Sequence, residues 1–257
     1  MEHGDVASET AVRAMLDAYA RKTPAESIPA ALERSAREAN QSVIQAALKL
    51  GLREGVGTTL VAAVTHEQSL YFISVGDSAV FQVHEGAARM VNRPHVFANL
   101  LDQALASGKI SQEEAERHPE REALTSYIGL RNLEEIDRNT EPWPLAEGDS
   151  ILLASDGMFK TLDAGEISSC LTGHPHSWPQ ALVERTLARR SPGQDNVTVV
   201  AITPDSGTLG KWEPALRESS LPEPAPEAPG SQGWWIAAIF LLLVVIGVGG
   251  FWYFSSH

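Results

Sequence analysis

The sequence has a single cysteine, Cys170, among its 257 residues. This excludes a framework of internal disulfides and a zinc site built from several cysteines. We expect Cys170 to be a small buried apolar side chain in a reducing compartment rather than a nucleophile. The first residues, MEHGDVASET, also lack the basic-then-apolar pattern of a secretory leader. The N-terminal part of the chain is therefore expected to stay in the cytoplasm.

Basic residues are scarce, with 20 Lys and Arg against 33 Asp and Glu, which gives a formal net charge of −13. Proteins that bind nucleic acid gain affinity by neutralising phosphates with Lys and Arg, so this balance predicts no nucleic-acid partner. Hydrophobic residues make up 43% of the chain, which is enough to fill a core and excludes wholesale disorder. The length suits one sizeable domain with additional segments, or at most two domains.

Charge is absent from residues 234–254, WWIAAIFLLLVVIGVGGFWYF. At about 1.5 Å per residue, a helix of this length would span about 31 Å, close to the roughly 30 Å core of a bilayer. Trp and Tyr stand at both ends of the run, as is typical of residues at a membrane–water interface. The pattern predicts a transmembrane helix in the lipid bilayer that tail-anchors a single-pass protein, expected in a bacterial inner membrane. A buried core helix is the alternative.

Residues 204–233 precede this run and hold six of the fifteen prolines in the chain. Proline removes backbone donors and favours the extended polyproline conformation, so no packed element is expected there. We predict a linker, which serves either as a plain spacer or as a docking segment for a partner.

Residues 1–203 are expected to form the soluble domain. Apolar residues at helical spacing predict helices over 6–21 and 29–52. Short runs rich in β-branched residues predict strands, over 58–65, 70–75, 80–84, 151–154 and 196–202. Further helices are expected over 95–108, 111–117, 166–171 and 178–190. Strands that come in groups, with helices between the groups, are typical of the α+β class, with antiparallel sheets covered by helices.

Three aspartates lie at the ends of predicted strands. Asp77 follows one strand in the segment VGDS, Asp156 follows another in SDG, and Asp195 precedes the last strand in GQDN. A carboxylate at the end of a buried strand is held rigidly at the rim of a sheet, and several such rims would form an all-oxygen site suited to Mg²⁺ or Mn²⁺. Taken singly, each aspartate is also explained as a turn former or a loop brace.

Five motifs, taken in order, resemble those of the PPM-type (type-2C) metal-dependent protein phosphatases, particularly the compact bacterial members. They are GTTLVAA at 57–63, VGDS at 75–78, His95 with the stretch that leads to Leu124, Thr125 and Gly129, LLASDG at 152–157, and DNVT at 195–198. Within this stretch His95 and His118 are candidate general acids, although the pair His118-Pro119 is also typical of a loop anchor.

The resemblance implies an α-β-β-α sandwich of two antiparallel sheets flanked by helices. It implies a site with two Mn²⁺ or Mg²⁺ ions and a bridging water that attacks phosphoserine or phosphothreonine in proteins, opposing a bacterial Ser/Thr kinase. By position, Asp156 and Asp195 would be ligands of the metal pair, and Asp77 with Asp156 would serve a third, weaker metal site. Asn196 and Gly157 would support the ligand loops.

Two motifs of this family, a segment like NEDA and the segment DGMGG, are not found before the segment GDVASETAV. These motifs carry further metal and phosphate contacts and two strands, so we expect exposed sheet edges and little or no activity from the chain as written. Either Met1 is an internal methionine of a longer reading frame, or the protein is a truncated, non-catalytic homologue. The second case leaves a pseudophosphatase or a regulatory binding module.

Overall fold

The computed structural model describes residues 4–52, 56–204, 241–245 and 249–256. Helices form over α1 Gly4–Ala20, α2 Ile28–Lys49, α3 Ala98–Ala106, α4 Gln112–Glu116, α5 Asp156–Phe159, α6 Ala164–Cys170 and α7 Trp178–Ala188. Strands form over β1 Thr59–His66, β2 Ser69–Val75, β3 Ala79–His84, β4 Ala87–Met90, β5 Asp137–Arg138, β6 Trp143–Pro144, β7 Ser150–Ala154, β8 Val197–Pro204, β9 Leu241–Val245 and β10 Gly249–Ser256.

The strands form two sheets. In the first sheet the order is β5-β2-β1-β9, with β6 also paired to β2, and in the second it is β10-β8-β7-β3-β4. All pairings among these described strands are antiparallel, except that β9 runs parallel to β1. The two antiparallel sheets and their helices confirm the predicted α+β class.

Three apolar layers hold the sandwich together. Successive side chains of a strand point to opposite faces, so each strand contributes to two layers. In β1, Leu60 and Ala62 face helices α1 and α2, whereas Val61 and Ala63 face the second sheet. In β7, Leu152 packs toward the helices on the far side. The order of layers is therefore helix, sheet, sheet, helix.

Helices α1 and α2 pack closely because small side chains line their contact. Fully buried alanines supply this surface, namely Ala7, Ala11, Ala18, Ala36 and Ala39. Ser27 caps α2 by accepting a hydrogen bond from the main-chain N–H of Ala30. Arg34 ties α2 to the preceding loop through Glu26, with Nε 2.7 Å from Oε1.

The long helices and central strands predicted from the sequence are confirmed, with ends shifted by a few residues. Strands β4, β5 and β6 and helix α5 were not predicted, since two to four residues give too little periodicity to detect. Cys170 is only half-buried, at the end of α6, and it packs beside the helix-side core. The linker proposed for 204–233 lies outside the described residues except for Pro204.

The apolar C-terminal run differs from the predicted transmembrane helix. Its described parts, Leu241–Val245 and Gly249–Ser256, are strands that pair with β1 and β8. For those residues the structure has strands where the sequence predicts a helix, and they cover the edges of β1 and β8. Val, Phe, Trp and Tyr also favour strands, and periodicity cannot separate the two structures in an uninterrupted apolar run. Among the helices of the described ranges, none has the length and apolar character needed to cross a membrane.

The layer between the sheets is the part of the core in which we expect a cavity to be most costly. Leu153 in β7 is fully buried there, whereas Leu187 in α7 is 45% exposed. We expect Leu153→Ala to lower the free energy of unfolding by about 2–5 kcal/mol because the site cannot collapse between two sheets. Leu187→Ala should change it by about 0.5 kcal/mol or less. Urea unfolding measures both, and equal effects would contradict this packing.

Candidate functional site

Asp77 lies on the crossing between the two sheets, just after β2. The turn is made by Gly76, whose φ is +107°. A Cβ at this position would lie 2.4 Å from Cγ2 of Thr59. Glycine is therefore required both by the conformation and by the close approach of β1. The turn leaves Asp77 with only 7% of its surface exposed.

Two buried side chains fix the Asp77 turn. His95 Nδ1 accepts a hydrogen bond from the main-chain N–H of Gly76 at 3.0 Å, and the His95 main-chain N–H donates to Gly76 O at 2.8 Å. Burial lowers the pKa of His95, which favours the neutral ring that can accept this bond. Asn92 accepts from the main-chain N–H of Val80 and donates to the main-chain oxygen of Ser78.

Asp156 follows β7 at the start of the short helix α5. Met158 in this helix and Leu162 in the turn after it are buried in the core on the helix side. Because these residues hold the segment against the core, Asp156 lies at the rim of the sheet, with its side chain 22% exposed. The position of this carboxylate is therefore set by the packing of the residues that follow it.

Asp195 reaches the same rim from the loop before β8. Ser155 joins the two loops, since its Oγ donates to the main-chain oxygen of Asn196 at 3.2 Å and accepts from the main-chain N–H of Thr198 at 3.0 Å. Gln194 Nε2 donates to the main-chain oxygen of Gly157 at 3.1 Å. A Cβ at Gly157 would lie 2.5 Å from Asn196 O, so the loops meet at contact distance.

The register of the second sheet explains why these loops meet. Ala79 of β3 pairs with Ala154 of β7, and Ala154 pairs with Val199 of β8. The three aspartates each lie two to four residues beyond this row of paired residues, at the same end of the sheet. The predicted meeting of strand ends at one rim is therefore present.

Lys160 lies among these carboxylates and was not predicted. Its Nζ is 3.1 Å from Oδ2 of Asp156, 3.6 Å from Oδ2 of Asp77 and 3.0 Å from Oε2 of Glu122. The sequence does contain a signal for the first contact, because an acid and a lysine four residues apart face the same side of a helix. The contacts with Asp77 and Glu122 join distant parts of the chain.

The rim carries more negative than positive charge. Burial raises the pKa of Asp77 to about 6, and the nearby charge of Asp156 contributes to the rise. Burial also raises the pKa of Asp195, and Asp156 again adds to the shift. For Lys160, burial acts to lower the pKa, but Asp156, Glu122 and Asp77 together raise it above its usual range. Asp156 is thus the carboxylate whose charge both other aspartates feel.

Asn196, His95 and His118 have structural contacts that differ in part from the roles expected from the sequence. Asn196 holds the Asp195 loop through its main chain, since its N–H donates to Oδ1 of Asp195 at 2.8 Å and its carbonyl accepts from Ser155. His95 supports the Asp77 turn. His118 Nδ1 accepts from the main-chain N–H of Glu120, and its ring lies beside Phe97, as in a loop anchor.

The chain is similar in sequence to a known family of phosphatases. A family model described as Protein phosphatase 2C matches residues 1–188, which is well over half of the chain. The chain belongs to the protein phosphatase 2C family. A curated relative, the serine/threonine phosphatase stp of Listeria monocytogenes, is 31% identical over 211 residues, covering 81% of this chain and 82% of the relative.

Solved structures of phosphatases share the fold of this protein phosphatase 2C chain. The serine/threonine phosphatase PstP/Ppp of Mycobacterium tuberculosis superposes with a TM-score of 0.61 at 24% identity, covering 77% of this chain and 81% of that one. A structure of the PstP catalytic domain, in complex with two manganese ions, gives a TM-score of 0.59 at 22% identity, covering 77% and 80% of the two chains.

The oxygen donors of this protein phosphatase 2C chain fit a divalent cation in type. Asp156 and Asp195 offer hard carboxylate oxygens, and burial, together with the nearby charge of Asp156, raises the pKa of Asp195. Their number is small, however. Within the ranges that the structure describes, no group of three or more His, Cys, Asp or Glu side chains could hold a metal ion. A metal bound by Asp156 and Asp195 would need water or further ligands.

The close approach of the two loops at Gly157 gives a test of the site. We expect Gly157→Ala to lower the free energy of unfolding by about 1–3 kcal/mol, because the new methyl group forces the Asn196 carbonyl away. Gly165→Ala in α6 is the matched control, since its nearest neighbouring atom is 3.3 Å away and belongs to the side chain of Asp163. Urea unfolding of both variants measures the difference. A Gly157→Ala protein as stable as the parent would contradict the contact.

Proposed function

We propose that this protein is a serine/threonine protein phosphatase that hydrolyses phosphoserine and phosphothreonine in proteins with the help of Mn²⁺ or Mg²⁺. The proposal is carried by one observation, the placement of Asp77, Asp156 and Asp195 at a single rim of the sheets. Membership of the protein phosphatase 2C family and relatives named as serine/threonine phosphatases support it.

The charge of the rim argues that added cations are needed for this function. Three aspartates and Glu122 face one ammonium, that of Lys160. A phosphoryl group carries up to about two negative charges near neutral pH and would be repelled by such a surface. Divalent ions at the rim would neutralise the phosphoryl oxygens and lower the pKa of a bound water, so that it can attack phosphorus.

The residues of the chain have positioning roles in this proposal. Asp156 and Asp195 supply oxygen ligands, and Ser155 and Gly157 keep the two loops together. Cys170, the only cysteine of the chain, lies at the end of α6 with Sγ 3.9 Å from the main-chain oxygen of Ala181. The proposal therefore uses no cysteine nucleophile. The natural substrates would be phosphorylated proteins, and the opposing enzyme a bacterial Ser/Thr kinase.

A second candidate function is a pseudophosphatase or regulatory binding module. It is favoured by two observations: among the described residues no group of three or more His, Cys, Asp or Glu side chains could hold a metal ion, and Lys160 already neutralises part of the negative charge at the rim. In this case the fold would bind phosphorylated or other partner proteins without hydrolysing phosphate.

Hydrolysis of a phosphothreonine peptide separates the two functions. We expect the 257-residue chain to show a slow rate that depends on Mn²⁺ and is lost on chelation. Asp156→Asn should reduce the rate at least about 100-fold, because a ligand carboxylate is removed. Asp17→Asn, the same change on the exposed face of α1, should leave the rate unchanged. No Mn²⁺-dependent turnover in the parent chain would favour the second candidate.

Attachment to a membrane is a further part of the proposal and is supported by the sequence of 234–254 alone. It would place the phosphatase domain on the cytoplasmic side of a bacterial inner membrane. Strands β9 and β10 would have to leave the sheets, because a segment that spans a bilayer must satisfy its own backbone hydrogen bonds. The two arrangements of these residues exclude each other.

Cell fractionation tests the attachment. We expect the full chain to sediment with membranes and a chain lacking 234–257 to move to the soluble fraction. Circular dichroism of the shortened protein checks that it is folded, so that aggregation is not mistaken for membrane binding. A full chain that is soluble without detergent would refute the attachment and leave the sheet-edge role of these residues.

A further inference from the structure

We propose that the ammonium group of Lys160 is a built-in cation that occupies the space between Asp77 and Asp156, so that no divalent ion binds between these two carboxylates. The inference concerns the binding of metal ions and rests on the proposed function only for the identity of the site. It contradicts the third, weaker metal site that the family resemblance implies for Asp77 and Asp156.

The position of the ammonium group is the first argument. Nζ of Lys160 lies 3.1 Å from Asp156 and 3.6 Å from Asp77, and the contact with Glu122 at 3.0 Å completes a triangle of carboxylates. A lysine ammonium has three N–H donors and no acceptor, which suits three carboxylate partners. The same space would have to hold any ion shared by Asp77 and Asp156.

The fixed backbone is the second argument. The main-chain N–H of Lys160 donates to the carbonyl of Asp156 at 2.8 Å, and that of Leu162 donates to Met158 at 2.9 Å. Met158 and Leu162 are buried, so this turn is held by the core on the helix side. The side chain of Lys160 is itself 39% exposed, and its ammonium end lies against the carboxylates. Lys160 therefore emerges from a rigid turn directly beside Asp156.

The chemistry of the ligands is the third argument. Mg²⁺ binds oxygen at about 2.0–2.1 Å and Ca²⁺ at about 2.3–2.6 Å, so an ion bridging Asp77 and Asp156 must sit between their oxygens. An ammonium group in contact with both carboxylates excludes the ion from that place and also repels its charge. Asp77 is buried in the turn after β2, and its ion pair in the described part of the chain is with Lys160.

The consequence is a division of the rim into two halves. Between Asp77 and Asp156 a permanent cation replaces a metal ion, and no such ion pair with Lys160 is present for Asp195 in the part of the chain that the structure describes. Metal binding by this protein would therefore depend on Asp156 and Asp195. Asp77 would serve to hold Lys160 rather than a metal.

Counting bound Mn²⁺ by isothermal titration calorimetry, or by electron paramagnetic resonance of the free ion, tests the proposal. We expect Lys160→Met, which keeps the length of the side chain without its charge, to bind one Mn²⁺ more than the parent chain. Lys160→Arg keeps the positive charge and should bind the same number as the parent. Lys109→Met, an exposed lysine in the loop after α3, is the matched control and should also be unchanged.

The role of Asp77 gives a second measurement. In the parent chain, Asp77→Asn should leave the number of bound Mn²⁺ ions unchanged, whereas in the Lys160→Met background it should remove the additional ion. If Lys160→Met does not fold, the comparison of the parent with Asp77→Asn decides alone, and loss of one Mn²⁺ there overturns the proposal. Equal stoichiometry and affinity in the parent and in folded Lys160→Met would overturn it as well.

The two proposals fail separately in these experiments. A parent chain without phosphatase activity would count against the proposed function, while the additional Mn²⁺ in Lys160→Met would still support the built-in cation. If the parent chain is active but binds the same number of Mn²⁺ ions whatever residue stands at position 160, the proposed function is supported and the built-in cation is refuted.

Discussion

Crowding of carboxylates at one rim of the sandwich is the constraint on which the site depends. Asp77, Asp156 and Asp195 approach one another where burial weakens the solvation of their charges, and the pKa of Asp77 rises to about 6 as a result. Such an arrangement is unfavourable unless positive charge is placed among the carboxylates. Lys160 supplies one charge, and the remaining deficit is what suits the rim to divalent ions.

The rest of the fold keeps these side chains in place. The three apolar layers hold the sheets and helices, and the paired row of Ala79, Ala154 and Val199 brings the loops to one end of the second sheet. The loops touch because Gly157 has no side chain and because Ser155 bonds across to the Asn196–Thr198 segment. The strand register thus brings the loops of the site to one end of the sheet. The hydrogen bonds of its polar groups then hold the two loops in contact.

If Lys160 takes the place of a metal ion as proposed, a single residue would change the metal requirement of this protein phosphatase 2C chain. A lysine is a single, fixed positive charge, whereas a divalent ion is exchangeable and brings coordination sites for water and phosphate. Replacing the ion by the lysine would keep the Asp77 turn neutralised at all metal concentrations. The cost would be the loss of coordination positions at that part of the rim.

Local patterns in the sequence determined the long helices α1 and α2, the central strands, and the aspartates at the strand ends, because periodicity and strand-end position are properties of neighbouring residues. They did not determine the secondary structure of residues 241–245 and 249–256, which form edge strands here, because an uninterrupted apolar run is compatible with both a helix and a strand. They also did not reveal that Lys160 meets Asp77 and Glu122. Those contacts join residues 83 and 38 positions apart in the numbering, and only the packing of the two sheets and the turn after β7 brings them together.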